Sequence, residues 1–139
     1  MSERPAFRLL PEITAENEHF WRGGAHDELR FLRCRPCRSF IHPPSPVCPR
    51  CLAKDVAPEA VSGRARVLTF TVNHQPWIPG FSPPYVIAIV ELPEQVGLRL
   101  TTNLVGIAPE DVRIDMDVRV VFEQHGDVYL PLFAPVARP

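Results

Sequence analysis

The spacing of four cysteines constrains the fold of this chain more than any other feature. They form two pairs, Cys34-x2-Cys37 and Cys48-x2-Cys51, with ten residues between the pairs. Two such knuckles can surround one ion with four thiolates in a tetrahedron. The spacing therefore predicts a metal site with all four cysteines as ligands. Zinc is favoured over iron, and because no coordination position stays open, the metal is expected to be structural.

Two other uses of the cysteines fit the sequence less well. Two disulfides would require an oxidising compartment, but Met1–Arg22 has no basic stretch followed by an apolar core of the signal-peptide kind. A thioredoxin-like redox site would need only one Cys-x-x-Cys pair at the start of a helix. We therefore expect a cytoplasmic protein with reduced, metal-binding cysteines.

The remaining pattern predicts a mainly β protein with a short N-terminal helix, a four-cysteine zinc ribbon and a C-terminal five-stranded OB-fold barrel. Seventeen prolines argue against a helical bundle. The predicted domain limits are 1–27 for the helical segment, 28–60 for the rubredoxin-like ribbon and 61–139 for the barrel. No apolar run is long enough to span a membrane.

The N-terminal helix is predicted within residues 10–22, with Thr14 as N-cap and Gly23-Gly24 as its end. A helix this short must pack against something else. Its anchors are Phe20 and Trp21, which either pack on this chain's own metal module or dock onto a partner.

The barrel strands follow from period-two alternation and β-forming residues after Gly63. Tyr85–Leu92 is a more continuous apolar run, which predicts a strand buried on both faces. A helical turn is expected at Pro109–Val112 and a hairpin around His125-Gly126-Asp127. The predicted strands are 64–72, 85–92, 98–104, 117–123 and 128–133.

The loop between the first two barrel strands, residues 73–84, is unusually apolar for a loop. Trp77, Ile78 and Phe81 alternate with prolines that restrict its shape. It either plugs an open end of the barrel or offers a surface to a partner or a hydrophobic acyl group. His74 is its ionisable residue and Tyr85 follows it; both join the predicted contact residues.

Charge is distributed unevenly. Residues 22–54 carry seven basic and two acidic side chains, whereas residues 55–139 carry six basic and ten acidic ones. The ribbon arginines Arg33, Arg35 and Arg38 could meet phosphates or an acidic partner surface. Single-stranded nucleic acid is the alternative ligand, which the acidic barrel disfavours because phosphate contacts supply most of the affinity.

The sequence offers little for catalysis by this chain alone. No serine lies in a nucleophile elbow, no phosphate-binding glycine loop is present, and no cysteine remains outside the predicted metal site. His42 lies in the ribbon, but the set of four sulfur ligands is complete without it. We therefore expect that this chain has no active site of its own.

The order of helix, ribbon and barrel resembles the acyl-CoA-associated family that joins a rubredoxin-like zinc ribbon to an OB-fold. The resemblance rests on several short motifs spread over nearly the whole chain: Glu16-Asn17, Phe20-Trp21-Arg22-Gly23, the two knuckles with Pro43-Pro44 between them, residues 85–92, residues 114–118 and residues 130–133. Two positions depart from the pattern, since Arg38 and Asp115 stand where this family often has glycine.

This resemblance implies a non-catalytic accessory subunit of a thiolase-like enzyme of the lipid-transfer-protein type. Such pairs act on acyl-CoA thioesters. The pairs whose accessory subunit this sequence resembles most perform retro-aldol cleavage in bacterial steroid side-chain breakdown. The reacting groups would then belong to the thiolase-like subunit, in a hetero-oligomer, with no membrane involved.

Overall fold

A computed structural model describes residues 7–136 and confirms a mainly β protein with one short helix and a closed five-stranded barrel. The elements, in chain order, are α1 Glu18–Arg22, β1 Leu29–Cys34, β2 Phe40–Ile41, β3 Val56–Val61, β4 Arg64–Asn73, β5 Tyr85–Glu91, β6 Arg99–Leu104, β7 Asp117–His125 and β8 Val128–Pro135. Among the described residues, no helix has the length and apolar character that crossing a bilayer requires.

The ribbon is a three-stranded antiparallel sheet in the order β2-β1-β3. β3, which the sequence analysis missed, pairs with β1 along its full length. β3 contains Pro58, which lacks a backbone N–H and therefore suits an edge strand. This strand leads directly from the second knuckle to the barrel.

The barrel closes in the order β4-β5-β6-β8-β7, which confirms the predicted OB-fold. All neighbouring strands are antiparallel except β6 and β8, which meet at Leu104 and Phe133. The interior is filled by side chains that are fully buried, among them Val67, Val90 and Val118. The predicted hairpin is present, with Gly126-Asp127 as its two-residue turn, and so is the helical turn that begins at Pro109.

The prediction that residues 85–92 form a strand buried on both faces is wrong. In β5, burial alternates: Val86, Ala88 and Val90 face the core, whereas the residues between them are half-buried. The outward side chain of Ile87 lines a surface groove beside residues 8–11 and the β4–β5 loop rather than lying under a second sheet. The outer face of β5 is also apolar, so its sequence has the continuous apolar run that is typical of a strand buried on both faces.

The N-terminal helix is shorter than predicted, and its cap differs. Asn17, not Thr14, is the N-cap residue of α1. The Asn17 side-chain oxygen accepts a hydrogen bond from the Thr14 N–H at 2.8 Å, and the Thr14 carbonyl accepts one from the Glu18 N–H at 2.9 Å. Residues 14–17 therefore form a hydrogen-bonded turn, although the sequence pattern predicted that they belong to the helix.

As predicted, α1 ends at this glycine pair, with Gly23 as its C-cap, and the chain continues through both glycines as a 3-10 turn to His26. Their role is close packing. A Cβ on Gly24 would lie 2.5 Å from the Tyr129 Cβ and 2.7 Å from the Phe122 ring of the barrel. The absence of a side chain there lets the N-terminal segment lie directly on β7 and β8.

Two hydrogen bonds from one side chain connect the ribbon to the barrel. The Gln95 side chain, from the β5–β6 turn, accepts a hydrogen bond from the Phe40 N–H at 2.8 Å and donates one to the Phe40 carbonyl at 3.1 Å. It thereby satisfies the backbone of the ribbon's edge strand β2. The two modules consequently share side chains and backbone contacts.

Candidate metal centre and contact surfaces

The two knuckles bring all four cysteine sulfurs within 4.8 Å of one another. Cys34 Sγ lies 3.5 Å from Cys51 Sγ, and Cys37 Sγ lies 3.6 Å from Cys48 Sγ. Four sulfurs at about 2.3 Å from a central zinc would be about 3.8 Å apart in a regular tetrahedron. The cluster therefore has the donor set and nearly the spacing that a tetrahedral ion requires.

The two knuckles have the same backbone turn. The N–H of the residue that follows each pair, Arg38 or Leu52, donates to the carbonyl of the first cysteine of that pair at 2.9 Å. Both residues have left-handed backbones, with φ of 66° and 63°. Glycine adopts this conformation most easily, which agrees with the expectation of glycine at the Arg38 position, and Asp115, with φ of 70°, has the same conformation.

The thiols of the cluster differ in acidity because of their surroundings. A hydrogen bond from the Cys37 backbone lowers the pKa of Cys34, but burial and the neighbouring sulfurs outweigh it and raise that pKa to about 12. The Ser39 hydroxyl and backbone N–H lower the pKa of Cys37 to about 6. Binding of an ion would require all four thiols to be deprotonated.

Ser39 and Arg50 form an outer layer beside the sulfur cluster. The Ser39 hydroxyl lies 3.4 Å from Cys37 Sγ. The Cys37 thiol donates to this hydroxyl oxygen, and Arg50 Nη1 donates to the same oxygen at 3.3 Å. When Cys37 is deprotonated, the Ser39 hydroxyl can instead donate to the thiolate. Outer hydrogen bonds of this kind orient ligands and stabilise thiolates.

His42 lies outside the sulfur cluster. Its ring packs against Phe20 and Phe31, with centroids 4.9 and 4.8 Å away. Its buried Nδ1 has no hydrogen-bond partner among the described residues. Burial, and secondarily the nearby His19, lower the pKa of His42 to about 4. The histidine is therefore a neutral part of the packing between α1 and the ribbon.

Of the two predicted anchors on α1, Phe20 lies inside the chain. It is 4% exposed and also packs on Phe31, which favours the interpretation that it holds α1 on the ribbon. Trp21 is half-buried and meets Phe20 edge-on, with ring centroids 4.7 Å apart. Trp21 thus keeps part of its surface available.

The three ribbon arginines are close together, and each lies near an acidic side chain. Arg33 pairs with Glu59 at 2.6 Å and lies over the Phe40 ring, and Arg38 pairs with the same Glu59 at 3.4 Å. Arg35 approaches Asp55 at 3.6 Å. β3, which the sequence analysis missed, supplies Glu59 and so reduces the free positive charge of this face.

The predicted contact residues of the β4–β5 loop divide into two groups. Phe81 stacks on Tyr85 with centroids 4.3 Å apart and lies against the barrel. Trp77 is 71% exposed, and its indole N–H donates to Asn73 Oδ1 at 2.9 Å. His74 is exposed on the same loop. The loop therefore does not bury its largest side chain in the barrel.

The sequence analysis missed a polar cluster beside this loop. Arg8 Nε donates to Glu123 Oε1 at 2.9 Å, and Arg8 Nη1 donates to Asn103 Oδ1 at 2.6 Å. The His125 Nε2 lies 2.7 Å from the same Glu123 oxygen. Burial opposes ionisation of Glu123, but the His125 and Arg8 contacts prevail and lower its pKa. No local signal could reveal a pair separated by 115 residues.

The fold and the sulfur cluster define a class of protein, a rubredoxin-like four-cysteine ribbon joined to an OB barrel. Two family models match in that order: the ChsH2 rubredoxin-like zinc ribbon domain over residues 21–57 and the ChsH2 C-terminal OB-fold domain over residues 58–123. The chain belongs to this ChsH2, or DUF35, family.

Three curated relatives show how this fold is used elsewhere. A probable enoyl-CoA hydratase alpha subunit of Thermomonospora curvata is 39% identical over 131 residues, which cover 94% of this chain and 40% of the relative. The 3-oxo-4,17-pregnadiene-20-carboxyl-CoA hydratase alpha subunit of Mycobacterium tuberculosis is 34% identical over 94% of this chain and 41% of its own length. A DUF35 domain-containing scaffold protein of Methanocaldococcus jannaschii is 40% identical over 67% of this chain and 66% of its own. The chain thus spans about two-fifths of the two hydratase subunits.

Two solved structures are similar. A chain of the Ltp2-ChsH2(DUF35) aldolase superposes with a TM-score of 0.81 and 37% identity, over 91% of this chain and 98% of that one. A DUF35-family protein of unknown function from Sulfolobus solfataricus has a TM-score of 0.63 at 16% identity, over 88% of this chain and 86% of that one, which is a likeness of fold alone.

Proposed function

We propose that this chain is a non-catalytic accessory subunit that binds a thiolase-like enzyme of the lipid-transfer-protein type and supports its acyl-CoA chemistry. The observation that carries the proposal is the likeness to a chain of the Ltp2-ChsH2(DUF35) aldolase, which extends over nearly all of both chains. The scaffold name of the archaeal relative points the same way. We assign the reacting groups to the partner and a stabilising role to this chain.

The chemistry that we propose for the pair is retro-aldol cleavage of a steroid side-chain CoA thioester. Such a step breaks the bond between the α and β carbons of a β-hydroxyacyl-CoA and yields a carbonyl compound and a shortened acyl-CoA. The proposal draws on the aldolase named for the similar structure and on the steroid-type substrate named for the Mycobacterium relative. Steroid degradation, and with it a cytoplasmic location in lipid metabolism, belong to this proposal.

We further propose that Cys34, Cys37, Cys48 and Cys51 hold one structural Zn²⁺. The sulfur spacing fits zinc, and a site of four protein ligands leaves no position for substrate. Bound zinc would fix both knuckles and, through β1 and β3, the sheet that supports α1. The contact residues proposed for the partner are those of the sequence analysis that keep exposed surface: Trp21, Arg33, Arg35, Arg38, His74, Trp77, Phe81 and Tyr85. Phe20 is buried and would act only by supporting Trp21.

Binding of single-stranded nucleic acid is the alternative. The pairing of Arg33 and Arg38 with Glu59, and of Arg35 with Asp55, disfavours this alternative, because these carboxylates compete with phosphate.

The test is co-expression with a lipid-transfer-protein-like thiolase of the same organism, followed by affinity purification in low salt through a tag on one protein. We expect both proteins in the eluate and no carbon–carbon cleavage of a β-hydroxyacyl-CoA by this chain alone. Separate elution would contradict the proposal, and a salt-dependent shift of a single-stranded oligonucleotide would support the alternative.

A further inference from the structure

A short N-terminal strap, residues 7–11, lies across the outside of the barrel and is attached mainly through Arg8. The Arg8 side chain is only 14% exposed and bonds to Glu123 of β7 and Asn103 of β6. A charge this buried is stable because the carboxylate neutralises it and the amide satisfies a further N–H. Arg8 therefore fixes the strap to two barrel strands.

Arg8 also joins the strap to the β4–β5 loop. Its guanidinium lies over the Phe81 ring at 4.5 Å, and the ring of Phe81 lies 4.3 Å from that of Tyr85. The Phe7 N–H donates to the Gly80 carbonyl at 3.3 Å. The strap and the loop are therefore one connected unit, and Arg8 lies between them.

This unit carries a concentration of exposed apolar surface. Within residues 7–136, seven large apolar side chains are exposed, and four of them are on the strap or the loop: Phe7, Leu9, Leu10 and Trp77. The hydrogen bond to Asn73 holds the Trp77 indole in one orientation. An aromatic side chain that is fixed before binding loses little entropy on binding, as interface anchors do.

We infer that the strap–loop surface, formed by Phe7, Leu9, Leu10, Trp77 and Ile78, docks an apolar surface of the thiolase-like partner subunit, and that Arg8 positions it. The inference rests on the proposed function and goes beyond it, because it adds the strap and makes the loop depend on Arg8. It also places the main contact on the barrel side rather than on the ribbon arginines.

A protein surface fits this site better than a small molecule or a membrane. Leu9, Leu10, Ile78 and Phe81 line a groove of about 550 Å³, but Trp77 lies outside the groove lining. A ligand inside the groove would therefore leave the most prominent anchor uncovered. The charge of Arg8 is neutralised by Glu123, so it offers no free cation to a phosphate or an anionic lipid.

The test measures the dissociation constant (Kd) between the purified partner subunit and variants of the full chain by calorimetry. We expect Trp77→Ala to raise Kd about 30-fold or more, as loss of an interface anchor does. Leu52→Ala and Val96→Ala remove exposed apolar side chains elsewhere and are the matched controls, with less than about threefold change expected. Unchanged melting temperatures would show that each variant is folded.

The role of Arg8 is tested by a double-variant cycle. We expect Arg8→Ala to weaken binding about tenfold, and Arg8→Ala with Trp77→Ala to weaken it by clearly less than the product of the two effects, because Arg8 acts through the loop. Purely multiplicative effects would overturn the positioning role.

The binding measurements distinguish a failure of the docking surface from a failure of the proposed function. If the wild type binds the partner and Trp77→Ala and Leu9→Ala bind equally well, the docking surface is wrong while the proposed function stands. If the wild type does not bind, the proposed function fails and this inference fails with it. Sedimentation of the wild type, but not of Trp77→Ala, with phosphatidylglycerol vesicles would assign the surface to a membrane and overturn the inference.

Discussion

At the scale of single residues, the sulfur cluster depends on neighbours that are not ligands. Cys37 is exposed, and it is the cysteine that Ser39 contacts. Arg50 holds the Ser39 oxygen from the other side. The ribbon therefore supports one of its two exposed cysteines through residues that the cysteine spacing alone does not reveal.

We expect Ser39→Ala to weaken zinc binding about tenfold, because the Cys37 thiolate loses a hydrogen-bond donor. Competition with a chromophoric chelator measures the change. Ser45→Ala is the matched control, since the Ser45 hydroxyl donates to the Val47 carbonyl at 2.8 Å and not to sulfur. Equal affinity in the wild type and Ser39→Ala would show that the hydroxyl does not support the site.

His42 gives the chain an acid-sensitive contact between α1 and the ribbon. Its pKa is about 4 in the folded chain, against an ordinary value near 6.5. As pH falls below about 6.5, the unfolded chain takes up a proton that folded His42 resists, so stability is present above that pH and is lost down to about pH 4. The full difference corresponds to at most about 3 kcal/mol, and partial exposure reduces it.

We therefore expect His42→Leu to flatten the pH dependence of the unfolding free energy between pH 7 and pH 5. Relative to wild type, the variant should lose about 1–2 kcal/mol less over this interval, measured by urea denaturation with saturating zinc. His26→Ala replaces an exposed histidine and is the control. Parallel curves for wild type and His42→Leu would contradict the assignment.

At the scale of elements, the N-terminal segment can pack closely on the barrel because Gly24 has no side chain. Gly24 lies in a 3-10 turn, where alanine would ordinarily be favoured over glycine. Contact with Tyr129 and Phe122 reverses that preference, because a Cβ has no room there.

Gly24→Ala should therefore lower the unfolding free energy by about 1–3 kcal/mol and the melting temperature by several degrees. Thermal denaturation followed by circular dichroism measures this. His26→Ala, in the same turn but exposed, should have little effect. A Gly24→Ala variant as stable as the wild type would mean that the segment can move off the barrel.

Local pattern predicted most elements, and its failures have physical causes. The cysteine spacing and the period-two strands are local signals, so the ribbon and the barrel followed from them. β3 was missed because Pro58 and Glu59 interrupt the alternation of an edge strand. The Arg8–Glu123 contact and the Gln95–Phe40 tie depend on tertiary approach, which no local pattern encodes. The domain limits at residues 27 and 60 stay predictions.

At the scale of the whole molecule, the two modules depend on each other. The ribbon buries Cys34 and Cys48 in a small core of its own, which is too small to hold the two knuckles in place without an ion. Phe20 and Phe31 belong instead to the core shared with the barrel. Loss of the ion should therefore disturb more than the knuckles.

Cys34→Ser should leave one ligand position poorly filled and unfold the ribbon, because metal binding and folding are coupled. A strong chelator should have the same effect on the wild type, with a large fall in melting temperature that zinc reverses. Melting that is indifferent to both treatments would contradict a structural metal.

We propose that this chain is a metal-stabilised subunit that completes the enzyme of another protein. Native mass spectrometry of the assembly purified after co-expression tests this most directly. We expect a mass that contains this chain, the thiolase-like subunit and one zinc ion for each copy of this chain. Detection of this chain only at its own mass, or without bound metal, would contradict it.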